Sequence, residues 1–320
     1  MPASAQWRRL SFAVAVALAA VLLYYSLRGI EWRQVGATVS GADPRLLALT
    51  AGLSSTNLLL RSLRWRILLK AATSVSPSTT FWATAAGYFG NTFMPARAGE
   101  LVRTLMISAR TGLAVPFVLA TALSERVADA CALLLIGALA LLALPSRPGW
   151  LAEAAVPSAI LALVGVLGIA VLPRLESVHS WIIDRLPISS TMATRMRRMM
   201  EQGVLGLRAF HHRRRFAAFA SMTAVIWIVD AVATVFGAAA LGLRMPLPVA
   251  FLLIVGLGLG SALPSTPGYV GIYQFVAVTV LTPFGFSQSA AIAYILVAQA
   301  LMFCVFGFWG ALGLWRSRAK

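Results

Sequence analysis

Residues 290–314 carry no charged side chain, and this is not the only such run in the chain. Apolar stretches also cover 10–27, 116–144, 154–172 and 216–241, with shorter ones at 46–60, 81–93, 249–263 and 267–281. A helix needs about 20 such residues to cross a hydrocarbon core. Within lipid, each segment must satisfy its own backbone polar groups, which a helix does. The expected fold is therefore all-α, a polytopic integral membrane helical bundle. Composition agrees: 59% of residues are hydrophobic and 12% charged, against roughly 25% charged in a soluble domain.

The first run follows Trp7, Arg8 and Arg9 and superficially resembles a signal peptide. It is long for that role and "SLRGIEW" offers no small-residue cleavage site, so it reads as a retained first helix. Cys131 and Cys304 lie inside apolar runs, where small buried apolar roles are expected rather than a disulfide.

The formal net charge is +17. Basic residues gather at 8–9, at 61–70, through the arginine-rich stretch 173–215 and in the tail "RSRAK". The positive-inside rule puts all four, and both termini, on the cytoplasmic side, with 28–45, 145–153 and 242–248 outside. Affinity for anionic headgroups is the other reading of this charge. No nucleic-acid partner is expected, because the basic residues are dispersed among spans without interleaved aromatics. For 61–70 and 173–215 to share a side, 81–104 must dip into the membrane and return as a re-entrant hairpin.

That segment contains "NTFMPARAGELVRT" at 91–104. Pro95 lacks an N–H and disfavours helix at Met94, and Gly99 permits close backbone approach. A second broken stretch, "SALPSTPGYVGIYQF" at 261–275, sets Pro264 against Pro95 and Gly268 against Gly99. Paired broken segments in two halves point to a midplane binding site. The expected organisation of 1–320 is one transmembrane domain with repeats at about 45–172 and 216–314, joined by a basic cytoplasmic loop at 173–215. The repeats are inverted if the second hairpin enters from outside; coincidence is the other reading, since Pro and Gly abound in membrane helices. In the same register Arg61 falls opposite Asp230, which suggests an ion pair across the repeats.

Helix N-termini at such breaks bind anions, and Arg97 beside one could hold a phosphate bidentately. Glu100 shares a helical face with it. In "SERVAD", Glu125 and Asp129 share a face and Arg126 needs a partner elsewhere. Charged residues inside spans face a cavity, a bundle interior or one another, so both a binding site and registry-fixing ion pairs are open readings. Asp230, alone in its apolar run, is a functional candidate. Asn57, Asn91, Tyr273, Gln274 and Gln299 read as interhelical hydrogen-bond partners. Lys70 and Lys320 lie in no phosphate-binding loop, and no metal or G-x-S-x-G motif is present. No cofactor is expected.

Taken in order, "NTFMPARAGELVR", "SERVAD" and "LPSTPGYVGIYQF" resemble the transmembrane domain family of lysylphosphatidylglycerol synthases, over roughly residues 10–315. That resemblance implies a protein of a bacterial-type inner (plasma) membrane that moves a lipid between leaflets. Arg97, Gly99, Glu100 and Arg103 match its first motif, Glu125, Arg126 and Asp129 its second, and Pro267, Gly268 and Gly271 its third. Many members carry an acidic residue after the third motif, where this chain has Tyr273 and Gln274. No aminoacyltransferase domain is expected, so a separate lipid-synthesising enzyme is the implied partner.

The leading expectation is a flippase for a phosphate-bearing lipid, possessing no enzymatic activity. Substrate-binding roles fall to Arg61, Arg97, Glu100, Arg103, Glu125, Arg126, Asp129 and Asp230, with Tyr273 and Gln274 as lesser candidates. Helix breaks fall to Asn91, Pro95, Gly99, Pro264, Pro267, Gly268 and Gly271. The rival readings are an integral-membrane lipid-modifying enzyme and a non-catalytic accessory subunit of a lipid or glycolipid pathway.

Overall fold

A computed structural model describes residues 16–94, 98–144, 149–171, 190–208, 212–261 and 266–318, with single positions 185 and 210. Arg97, Pro95 and Pro264 lie outside the described residues. Among the described residues every regular element is helical: α1 (Val16–Leu27), α2 (Trp32–Ser40), α3 (Pro44–Leu69), α4 (Pro77–Phe93), α5 (Gly99–Thr111), α6 (Val115–Ala143), α7 (Gly149–Val171), α8 (Ser190–Arg208), α9 (Arg213–Ala240), α10 (Leu247–Gly260), α11 (Ile272–Leu281) and α12 (Gln288–Arg318). Helices α3, α6, α9 and α12 are long and apolar enough to cross a membrane. The chain is a multi-pass membrane protein. Its outward faces fit that setting: Leu135, Leu139 and Leu142 of α6 and Ile160, Leu161 and Val164 of α7 are exposed, on a scale that water would not tolerate.

Local chemistry starts and stops these helices. Asp43 caps α3, its side chain accepting from the Arg45 N–H at 2.8 Å, with Pro44 at the first helical position. Ser76 caps α4 in the same way ahead of Pro77. Met94 is extended (φ −102°, ψ 148°), so α4 ends at Phe93, two residues before Pro95.

The long and short helices interleave twice. In the first half, long α3 and α6 flank short α4 and α5; in the second, long α9 and α12 flank short α10 and α11. Helix α5 folds back antiparallel along α4, with Gly87 and Gly90 against Gly99 and Arg103. A Cβ on Gly99 would meet the Gly87 carbonyl oxygen, so only glycine permits this approach. Helix α11 folds back along α10, with Gly260 against Ile272 and Gly256 against Val276. Each half has its own core: Trp65, Leu69, Ala83, Ile107 and Val118 in the first, and Val249, Leu253, Ala277, Leu281 and Ile292 in the second.

Two expected boundaries are corrected. The 61–70 cluster, read as a cytoplasmic basic region, lies almost wholly within α3, and Arg64 is fully buried. No Pro or Gly lies between residues 53 and 76 to stop the helix, so these charges do not mark a loop. The apolar run 267–281 is not continuous: a short turn at Pro267–Tyr269 precedes α11, with Gly268 at φ 71° and Gly271 at φ 89°.

Candidate functional site

A cavity of about 410 Å³ lies where the long helices meet the two folded-back pairs. Asn57 and Arg61 reach it from α3, Tyr88 and Asn91 from α4, Arg126 and Asp129 from α6, and Trp227 and Asp230 from α9. Its remaining wall is mostly apolar, with Leu133, Ile254 and Leu257, and carries Tyr269, Tyr273, Tyr294 and Gln299. The cavity is thus polar on one side and oily on the other.

Its polar side ends a longer construction. Asp230 Oδ2 lies 2.6 Å from Arg61 Nη2, and Arg61 Nη1 lies 3.8 Å from Asp129 Oδ2. Arg64 bridges Asp129 at 2.6 Å and Glu125 at 2.9 Å. Arg103 then joins Glu125 at 2.8 Å to Glu100 at 2.6 Å, and Glu100 takes Arg126 at 2.7 Å. The order Asp230, Arg61, Asp129, Arg64, Glu125, Arg103, Glu100, Arg126 alternates in sign throughout, four carboxylates against four arginines. It stitches together α3, α5, α6 and α9.

Aromatic rings support the same arginines. Arg61 sits over Trp227 at 4.8 Å, Arg64 over Phe219 at 4.8 Å and Arg103 over Trp65 at 4.5 Å, contacts that favour a desolvated guanidinium. Arg64 also donates to Thr223 at 3.1 Å. Burial is graded along the chain of charges: the Arg64 side chain is 0% exposed, whereas those of the two ends, Asp230 and Arg126, are 29% and 33% exposed. Both ends line the one cavity. Arg61 and Arg126 lie 5.9 and 5.5 Å from the Tyr88 ring, which links them.

The chain that builds this arrangement matches a family model, the lysylphosphatidylglycerol synthase TM region, over residues 12–310. The chain belongs to that family. It is also 28% identical, over 318 aligned residues, to a protein named glycosyltransferase AglD from Haloferax volcanii, an alignment covering 89% of this chain and 49% of that protein. The chain thus spans about half the length of this curated relative. The expectation of a chain without enzymatic activity is corrected by this match, because the relative bears an enzyme's name.

Seen on the structure, the family's first two motifs interlock through charge, Glu100 with Arg126 and Arg103 with Glu125. Of the residues expected to bind substrate, Arg61, Arg126, Asp129 and Asp230 come together around the cavity. Glu100, Arg103 and Glu125 do not line it: they sit behind in the ion chain, where each carboxylate already holds two arginines. The Arg61–Asp230 contact is the pair expected from the repeat register. Asn91 Nδ2 donates to Glu100 at 3.2 Å, and Asn57 Nδ2 donates to Asp230, so both asparagines are interhelical partners.

The third motif is held without charge. Gly268 packs against the Phe303 ring, and its carbonyl accepts from Gln299 at 2.8 Å. Gln274 donates to Gln299 at 2.5 Å and accepts from the Gly271 N–H at 2.7 Å, so Gln274 is a brace while its neighbour Tyr273 lines the cavity. Sequence reasoning missed Arg64, the most central cation. The available signal was its position three residues after Arg61 in a helix with nothing to end it, facing the unbalanced carboxylates of "SERVAD".

Proposed function

We propose that this protein binds the phosphate-bearing headgroup of a membrane lipid in the cavity and moves it between the leaflets of an inner, plasma-type membrane. One observation carries the reading: the partly exposed end of a buried ion chain, Arg126, opens into a cavity whose opposite wall is apolar. Arg126 gives Nε and Nη2 to Glu100, which among the described residues leaves Nη1 for an anion. Arg61 lies across Tyr88 from it, and the apolar wall suits the acyl or polyprenyl chain of a lipid. The α4–α5 and α10–α11 pairs would re-enter the membrane from opposite sides as inverted repeats, about 45–172 and 216–314. In that arrangement the site lies near the midplane, where alternating access needs it. Residues 173–215 and both termini would be cytoplasmic, and a separate enzyme would supply the lipid.

The test is transbilayer movement of a fluorescent polyprenyl phosphate in proteoliposomes. Arg126→Ala is expected to slow it at least about tenfold, the scale of one lost charge-assisted contact. Equal rates would overturn the proposal. A second reading is favoured by the name of the relative: the cavity presents a lipid to a glycosyl-transfer reaction. Mass spectrometry of lipid incubated with the protein and a sugar donor would show the added hexose.

A further inference from the structure

We infer that the cavity also holds a subsite for a hydroxyl-rich sugar ring beside its cationic end, so that the preferred headgroup is glycosylated. This rests on the lipid-binding reading above and specifies its substrate class. Two cavity-lining side chains carry the inference. Asn57 is 3% exposed, and its Nδ2 donates to both Asp230 and the Ile226 carbonyl. Those two acceptors fix the amide orientation and leave Asn57 Oδ1 as a buried acceptor with no partner among the described residues. Trp227, the residue after Ile226, is 6% exposed, and its Nε1–H is a buried donor with no partner among them.

Buried polar atoms are nearly always satisfied, and unmet donors and acceptors in side chains that line one cavity ask for a complementary ligand. Here two acceptors, Asn57 Oδ1 and Asn91 Oδ1, and one donor, Trp227 Nε1–H, are unmet among the described residues in side chains that line the cavity. An ionised phosphate offers acceptors only; it would leave Asn57 Oδ1 unmet and would face the Asp230 carboxylate. An ammonium offers donors only; it would leave the Trp227 N–H unmet beside the Arg61 guanidinium. A hydroxyl donates and accepts, and a sugar presents several at fixed spacing.

The third wall fits the same ligand. Tyr269 and Tyr273 line the cavity as a stacked pair, 4.8 Å between centroids and 10° between planes. Tyr269 holds φ at 60°, costly for a residue with a Cβ, and such strain concentrates at binding sites. A flat double ring facing a cavity can receive the C–H face of a sugar.

The experiment measures affinity of the full chain in nanodiscs for five probes: a polyprenyl phosphate, the same lipid carrying a hexose on its phosphate, soluble hexose 1-phosphate, an aminoacyl phosphatidylglycerol and free polyprenol. The hexosyl lipid is expected to bind at least about tenfold tighter than the bare lipid phosphate. Trp227→Phe keeps an aromatic ring beneath Arg61 and removes the N–H together with the second ring of the indole; the ratio between these two lipids should then fall to within about twofold of unity. Arg126→Ala should weaken both lipids and preserve the ratio. Soluble hexose 1-phosphate binding as tightly as the hexosyl lipid would support the sugar subsite with a soluble source; weaker binding supports a lipid one. Equal affinity for bare and hexosyl lipid, a Trp227→Phe ratio unchanged from wild type, or tightest binding of the aminoacyl lipid would overturn the subsite. Failure of either phosphate lipid to bind better than the free polyprenol would instead sink the phosphate reading beneath it.

Discussion

The two folded-back helix pairs, α4–α5 and α10–α11, use the same backbone device with opposite chemistry. Both place glycines where two short helices meet, and both sit between long apolar helices. The first is fastened by charge: Glu100 and Arg103 of α5 are the links that tie it into the ion chain. The second is fastened by neutral amides, Gln274 to Gln299 and Gln299 to the Gly268 carbonyl. A charged fastening demands complete pairing, because one missing partner strands a buried charge. An amide fastening fails more gently. The difference teaches that the charged side specifies one arrangement of helices, while the neutral side is the one better suited to rearrange.

That contrast can be broken by substitution. Arg64→Ala should cost most, about 3–5 kcal/mol, because it removes the central cation of the buried chain and leaves Glu125 with Arg103 alone and Asp129 with Arg61 at 3.8 Å; thermal unfolding in detergent would register it as a large drop in Tm. Gly99→Ala should follow at about 3 kcal/mol, since its Cβ meets the Gly87 backbone carbonyl, which cannot swing away. Gly268→Ala should cost less, about 1–2 kcal/mol, from its positive φ, with the Phe303 ring able to shift. Gln299→Ala should cost about 1–2 kcal/mol by leaving the Gly268 carbonyl and Gln274 with unmet bonds. Arg126→Ala, at the exposed end, should cost under about 1 kcal/mol of stability while still weakening lipid binding. A Gln299→Ala loss as large as that of Arg64→Ala would erase the distinction between the two fastenings.

The helical membrane bundle was legible because long uncharged runs have one solution in lipid. The end of α4 was legible too, since Pro95 acts on Met94 through local sterics. The placement of the 61–70 arginines was not. Counting positive charge treats every arginine as solvated, whereas Arg61 and Arg64 are cancelled by carboxylates on α6 and α9. Those partners lie far away in sequence, and the repeat register pointed to only one of them, Asp230. Glu100, Glu125 and Arg103 were found as residues but not as to position, because residue type alone does not separate a charge facing a cavity from one behind it. The unmet atoms of Asn57 and Trp227 had no sequence signal at all: which atoms lack partners depends on packing across helices.

The most direct test of the account is where a lipid phosphate sits. A polyprenyl phosphate analogue with a photoreactive group next to its phosphate, irradiated with the protein in nanodiscs, would label peptides identified by mass spectrometry. Labelling is predicted on the cavity faces of α3, α6 and α9, around Arg61, Arg126 and Asp230, and Arg126→Ala should reduce it. Labelling confined to the outer surface, such as Ile160 and Val164 of α7, and unchanged by Arg126→Ala, would contradict the account.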